Sequence, residues 1–143
     1  LRCLVGSEMC IRDRWKSKKD KSLYDMELDG VKKQWNYRLE NWVLSEGADK
    51  QVGCIHTIQG FDLNYGFVIM GNEIGYDPES KEIIVRPENY YDQNGRKTAS
   101  KEELLEYIKH IYYVLMTRGI KGTYLYICDD NLRKYVSSII GEI

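Results

Sequence analysis

The chain has 143 residues, 43% of them apolar, and its 21 Lys and Arg against 22 Asp and Glu leave a net charge of −1. That length supports one domain with a modest core. The near-neutral balance excludes a broad basic surface that grips nucleic acid by charge alone, and no apolar run approaches a membrane span, so no membrane partner is expected.

The first segment stands apart. Cys3 to Arg14, Cys-Leu-Val-Gly-Ser-Glu-Met-Cys-Ile-Arg-Asp-Arg, reads like a translated sequencing-library adapter. Residues 1–14 are therefore taken as a non-native leader and set aside from fold reasoning, with a genuine N-terminal strand and turn as the alternative. Without Arg2, Arg12, Arg14, Glu8 and Asp13 the net charge moves from −1 to −2. Cys3 and Cys10 go with the leader, leaving Cys54 and Cys128. Two cysteines expected within buried strands point to reduced thiols and a cytoplasmic protein rather than a disulfide framework.

From Trp15 to Lys21 the chain is a basic, polar entry, in which Lys16-Ser-Lys-Lys19 is read as solvated. Leu23 to Leu28 alternates apolar and polar residues, as a half-buried strand does, and Asp29-Gly30 marks a turn. Trp35, Leu39, Trp42 and Val43 fall near helical spacing, so a short amphipathic helix is expected over 34–44, broken by Glu46-Gly-Ala-Asp49. Gln51 to His56 reads as a strand, and Gly66-Phe-Val-Ile-Met-Gly71 as a fully buried central one. Ile74-Gly-Tyr and Glu82-Ile-Ile-Val85 flank Asp77-Pro-Glu-Ser80, which predicts a hairpin projecting from the sheet. Asn89 to Thr98 is a polar loop. Ser100 with Glu103 forms the capping-box pair opening a helix whose apolar face is Leu104, Ile108, Ile111 and Leu115, ended by Gly119. Thr123 to Cys128 reads as another buried strand, and Asp129 or Asp130 caps a last helix through Ile140. Strands alternating with helices predict an α/β fold with a mainly parallel sheet flanked by helices.

In such sheets ligands collect beyond the strand carboxyl ends, where both informative stretches are expected to fall. In the first, His56-Thr57 follows a strand, Gln59-Gly60 makes a tight turn, and Asp62 precedes the next strand. Glycine there lets backbone approach a ligand, and the polar groups suit phosphate or ribose, although a Gln-Gly turn beside a carboxylate is also ordinary loop chemistry. In the second, Thr117-Arg118-Gly119 ends a long helix directly before a strand. A guanidinium there suits charge developing on a phosphoryl group, because it needs no titration. The same arginine also suits a plain helix cap. Lys121 reads as solvated, with phosphate contact as its alternative. Arg96-Lys97-Thr98 echoes the end of a phosphate-binding loop but lacks its earlier glycine and strand, so it is rejected.

Metal and nucleophile chemistry find little support. Cys54 and His56, alternating on one expected strand face, make with Cys128 at most three soft ligands, and no Cys-x-x-Cys element accompanies them, so no metal site is assigned. Nothing in the spacing orients a base on a thiol, and His110 reads as a surface residue of the long helix. Most of the 12 tyrosines read as amphipathic packing residues.

Val52-Gly-Cys-Ile-His-Thr-Ile-Gln-Gly-Phe-Asp62 resembles motif V of superfamily 1 helicases, and Val114-Leu-Met-Thr-Arg-Gly-Ile-Lys-Gly-Thr-Tyr124 resembles motif VI. Together with Trp15-Lys-Ser-Lys, Trp35-Asn36 and Gly66-Phe-Val-Ile-Met-Gly71, they are similar to the Schlafen group 3-like DNA/RNA helicase domain, from about Trp15 to Cys128. The resemblance implies that residues 15–143 are the second, C-terminal RecA-like lobe of a P-loop NTPase, with the hairpin as an insertion. It implies an ATP-dependent helicase or translocase in which Arg118 is the catalytic arginine finger. Gln59, Gly60, Asp62, Thr117 and Arg118 would face ATP, and His56 and Thr57 the DNA or RNA backbone. Many relatives carry Glu where Asp62 stands. ATP and Mg2+ would be held mainly by an N-terminal RecA-like lobe with the phosphate-binding loop, which has no counterpart here, so the isolated chain is expected to be inactive. The alternative is a non-catalytic RecA-like module that binds nucleic acid or protein.

Overall fold

A computed structural model describes residues 2–6, 16–38, 40–58, 60–90 and 99–141. Its elements are β1 (Arg2–Gly6), α1 (Lys16–Lys19), β2 (Met26–Leu28), β3 (Val31–Trp35), β4 (Gln51–Gly53), α2 (Ile55–Ile58), β5 (Leu63–Met70), β6 (Ile74–Asp77), β7 (Glu82–Val85), α3 (Lys101–Met116), β8 (Gly119–Ile127) and α4 (Asp130–Ile140). The fold is α/β, as expected. Its six-stranded sheet runs β2-β3-β4-β1-β5-β8, parallel at every pairing except β2 with β3.

Parallel strands need both faces covered, and two apolar clusters lie on the opposite faces set by strand alternation. Val68, Met70 and Ile127 pack under Leu104, Ile108, Ile111 and Leu115, the four positions predicted for the helix face of α3. Each such buried aliphatic side chain contributes about 1.5–3 kcal/mol over leaving it exposed. On the other face Trp35, Val52, Cys54 and Ile69 gather with Met26, Leu28 and Tyr126.

Local signals hold well. Ser100 accepts from the Glu103 amide at 3.2 Å while the Glu103 carboxylate accepts from the Ser100 amide at 2.8 Å, completing the capping box. Asp29 and Gly30 both take left-handed φ, 47° and 81°, and join β2 to β3 as the mirror-type two-residue turn that suits strand twist. The hairpin β6–β7 forms as its own two-stranded sheet. It lies against α4, where Tyr76 stacks on Tyr135 at 4.2 Å and Arg86 pairs with Asp129, the N-cap of α4, at 2.8 Å.

Several expectations fail. The helix over 34–44 does not form. Val31–Trp35 continues out of the Asp29-Gly30 turn as β3, and Trp42–Leu44 makes one 3-10 turn. Trp35 and Trp42 are both buried, as the spacing suggested, but in different clusters; Leu39 lies outside the described residues. The strand expected over 51–56 stops at Gly53, and Cys54 and His56 therefore do not share a strand face. The strand expected to be buried over 123–128 is the sheet's edge, and most of β8 is only half-buried. Arg2–Gly6, left out of the fold above, pairs on both sides, with β4 and β5. That pairing uses backbone groups that every sequence carries, so it bears on where the segment sits, not on where it came from. Of the loop expected over 89–98, residues 91–98 lie outside the described residues.

Candidate anion site at the amino ends of two parallel strands

The site begins at the end of α3. Its last turn closes through the Thr117 amide to Tyr113 O at 3.1 Å and the Arg118 amide to Leu115 O at 3.3 Å. The Thr117 hydroxyl bonds back to Val114 O at 2.9 Å, and Thr117 is exposed. The chain then enters β8 at once. Thr123 Oγ1 donates to Met116 O at 2.7 Å, tying the strand to the helix end. Between them Gly119 has no room for a side chain: an added Cβ would sit 2.2 Å from the Gly122 carbonyl oxygen and 2.6 Å from Thr123 Oγ1. The β5–β8 register shifts here, three steps from Gly119 to Gly122 against two from Leu63 to Tyr65. A bulge of this kind re-aims a strand end.

The stretch from Val52 to Asp62 arrives at the same place from the other strand. Leu63 N donates to Arg118 O at 2.8 Å, so Asp62 and Arg118 root side by side. Arg118 Nη1 lies 3.6 Å from Asp62 Oδ1, with the arginine side chain 30% exposed and the aspartate 67%. This is an ion pair but too long for a hydrogen bond. Arg118 Nε is enclosed with no hydrogen-bond partner, and Asp62 is the guanidinium's one ion partner among the described residues. The arginine does not cap α3 through its guanidinium. It presents a half-buried cation with donors to spare, and arginine's planar fork suits phosphate oxygens.

Two parts of the sequence expectation need correcting. Asp62 and Arg118 sit at the amino ends of β5 and β8, not beyond carboxyl ends. His56, by contrast, follows the carboxyl end of β4, where Gly53 and Val68 both pair with Val5. Val68 lies five residues past Leu63, on the order of 16 Å along the strand. His56-Thr57 and the Asp62–Arg118 pair therefore lie at opposite ends of the sheet. His56 is exposed, while Thr57 is buried and its hydroxyl is turned inward, accepting from Cys54 N at 3.0 Å and donating to Cys54 O at 2.8 Å. Thr57 thus shapes the turn that carries His56. Gly60 takes φ 80° with open space around it; Gln59 lies outside the described residues. Lys121 and His110 are exposed. Sequence reasoning missed Thr123 and the steric demand at Gly119; the one available signal was a second glycine and a threonine close behind the arginine.

Among the described residues no group of three or more His, Cys, Asp or Glu is placed to hold a metal ion. No helix among them is long and apolar enough to cross a membrane.

Fold and site together define an α/β domain with an under-satisfied arginine at paired strand ends. The profile of the family described as Schlafen group 3, DNA/RNA helicase domain, matches residues 1–129, and the chain belongs to that family. It is 40% identical over 115 residues to "Uncharacterized protein YPL245W" of Saccharomyces cerevisiae (strain ATCC 204508 / S288c), an alignment covering 74% of this chain. The chain spans about a quarter of that relative's length, 25%. No solved structure matches it.

Proposed function

We propose that the chain is the second RecA-like lobe of an ATP-dependent DNA/RNA helicase or translocase, with Arg118 as its arginine finger. The observation that carries this reading is the half-buried guanidinium with an enclosed, unbonded Nε and one loose ion pair. Membership in a DNA/RNA helicase domain family supports the nucleic-acid partner and the use of a nucleotide. The donor set fits an anionic phosphate chain: the fork of Arg118, the open backbone at Gly60 and the exposed Thr117. ATP, when bound, supplies the phosphoryl group whose transfer drives the cycle. Arg118 would stabilise charge on that group, and α3, Gly119 and Thr123 would hold the arginine in position. No step is assigned here to Mg2+, whose ligands belong with the proposed N-terminal lobe. At the other end of the sheet His56 would meet the DNA or RNA backbone, with Thr57 fixing the turn beneath it.

The test is ATP turnover by a longer polypeptide carrying both lobes. Arg118→Gln is expected to cut kcat by about 10³–10⁵ with a smaller change in KM. A loss under tenfold overturns the arginine-finger role. Arg118-dependent turnover by the 143-residue chain alone, which is expected to be inactive, overturns instead the two-lobe reading, in which the site is completed by a second lobe.

A further inference from the structure

We propose that Asp62 is the resident counter-ion of Arg118, occupying the guanidinium until a polyphosphate displaces it and so setting the anion affinity of the site. This rests on the reading of Arg118 as phosphate-binding.

Three features carry it. First, the roots of both side chains are fixed: the 2.8 Å bond from Leu63 N to Arg118 O locks the two strand starts together. Second, the contact is an ion pair at 3.6 Å without a hydrogen bond. It therefore offsets charge while leaving Nε unbonded and, among the described residues, the other donors unused, which is the arrangement an exchangeable partner needs. Third, the two partners are unequal. Arg118 is 30% exposed with Nε enclosed, whereas Asp62 is 67% exposed and can turn into water at little cost. An incoming polyphosphate offers several charged oxygens against one carboxylate, so exchange favours the ligand. The displaced carboxylate stays nearby as a like charge, which lowers the affinity of the site below what Arg118 alone would give.

The experiment titrates the 143-residue chain with sodium tripolyphosphate at low ionic strength, following the Leu63 and Gly119 amide resonances. Tripolyphosphate has neither ribose nor base, so a contact of Asp62 with sugar cannot contribute. Asp62→Asn is expected to bind about two- to five-fold more tightly than the parent, the range an exposed ion pair supports. The gain should narrow as salt is raised. Arg118→Gln should lose binding in either background. Unchanged or weaker binding by Asp62→Asn, with Arg118→Gln still losing it, overturns the counter-ion role and leaves the phosphate site standing. Parent-like binding by Arg118→Gln overturns the phosphate reading itself.

Discussion

Gly119→Ala tests how Arg118 is held. The methyl group would lie 2.2 Å from a backbone carbonyl oxygen and 2.6 Å from Thr123 Oγ1, where ordinary contact begins at 3.4 Å. The obstacle is backbone, not the far end of a flexible side chain, so the bulge itself must shift. Overpacking of this kind costs about 1–3 kcal/mol and occasionally more. At roughly 3–6 °C per kcal/mol for a domain of this size, the melting temperature should fall by about 5–15 °C. Gly122→Ala is the internal control. It lies in the same bulge, yet its Cβ would meet only the Tyr65 ring, at 3.8 Å. Its cost should stay under about 1 kcal/mol, since alanine also lowers the entropy of the unfolded chain. Urea denaturation and thermal melts of both variants decide the matter. Equal stability of the two would refute the claim that steric closure at Gly119 positions the arginine.

Three further predictions concern the scaffold. Thr57→Val keeps the shape but removes both hydroxyl bonds to Cys54, while the Thr57 amide still donates to Cys54 O at 2.9 Å. A loss of about 1–3 kcal/mol by urea denaturation is expected, and an unchanged midpoint would contradict the assignment of Thr57 to the turn. Asp129 titrates below the ordinary carboxylate range: burial pushes it up, but the Leu132 amide, the Arg86 guanidinium and the Tyr76 amide together pull it down further. Because its folded value is depressed, its contribution is complete above the unfolded value near 3.9 and is lost as pH falls through the lower folded one. Melting temperatures of the parent and Asp129→Asn should therefore converge on acidification from about pH 5, and a constant gap would refute that sign. Finally, the amides of Leu4 and Val5 should exchange with solvent as slowly as those of Val68 and Ile69, since β1 pairs on both sides. Free exchange would place residues 2–6 outside the sheet.

What could be read without the structure was whatever a few neighbouring residues decide among themselves. Ser100 and Glu103 close a capping box within one turn, Asp29-Gly30 adopts a turn geometry few other pairs tolerate, and Asp129 caps α4 through its own near neighbours. The helical spacing of Leu104, Ile108, Ile111 and Leu115 predicted the buried face because α3 is long enough for periodicity to count. The same reasoning failed over 34–44, where the spacing of two tryptophans fits one helix face or two separate elements equally well. Pairing with β4 decided for the second, sending Trp35 to one face of the sheet and Trp42 to the other. Arg118 was legible as a residue type in a motif. Its meeting with Asp62 was not, and neither was the seating of both at strand amino ends. Parallel strands join residues far apart in sequence through backbone bonds that carry no residue code, so only the assembled sheet decides which side chains become neighbours.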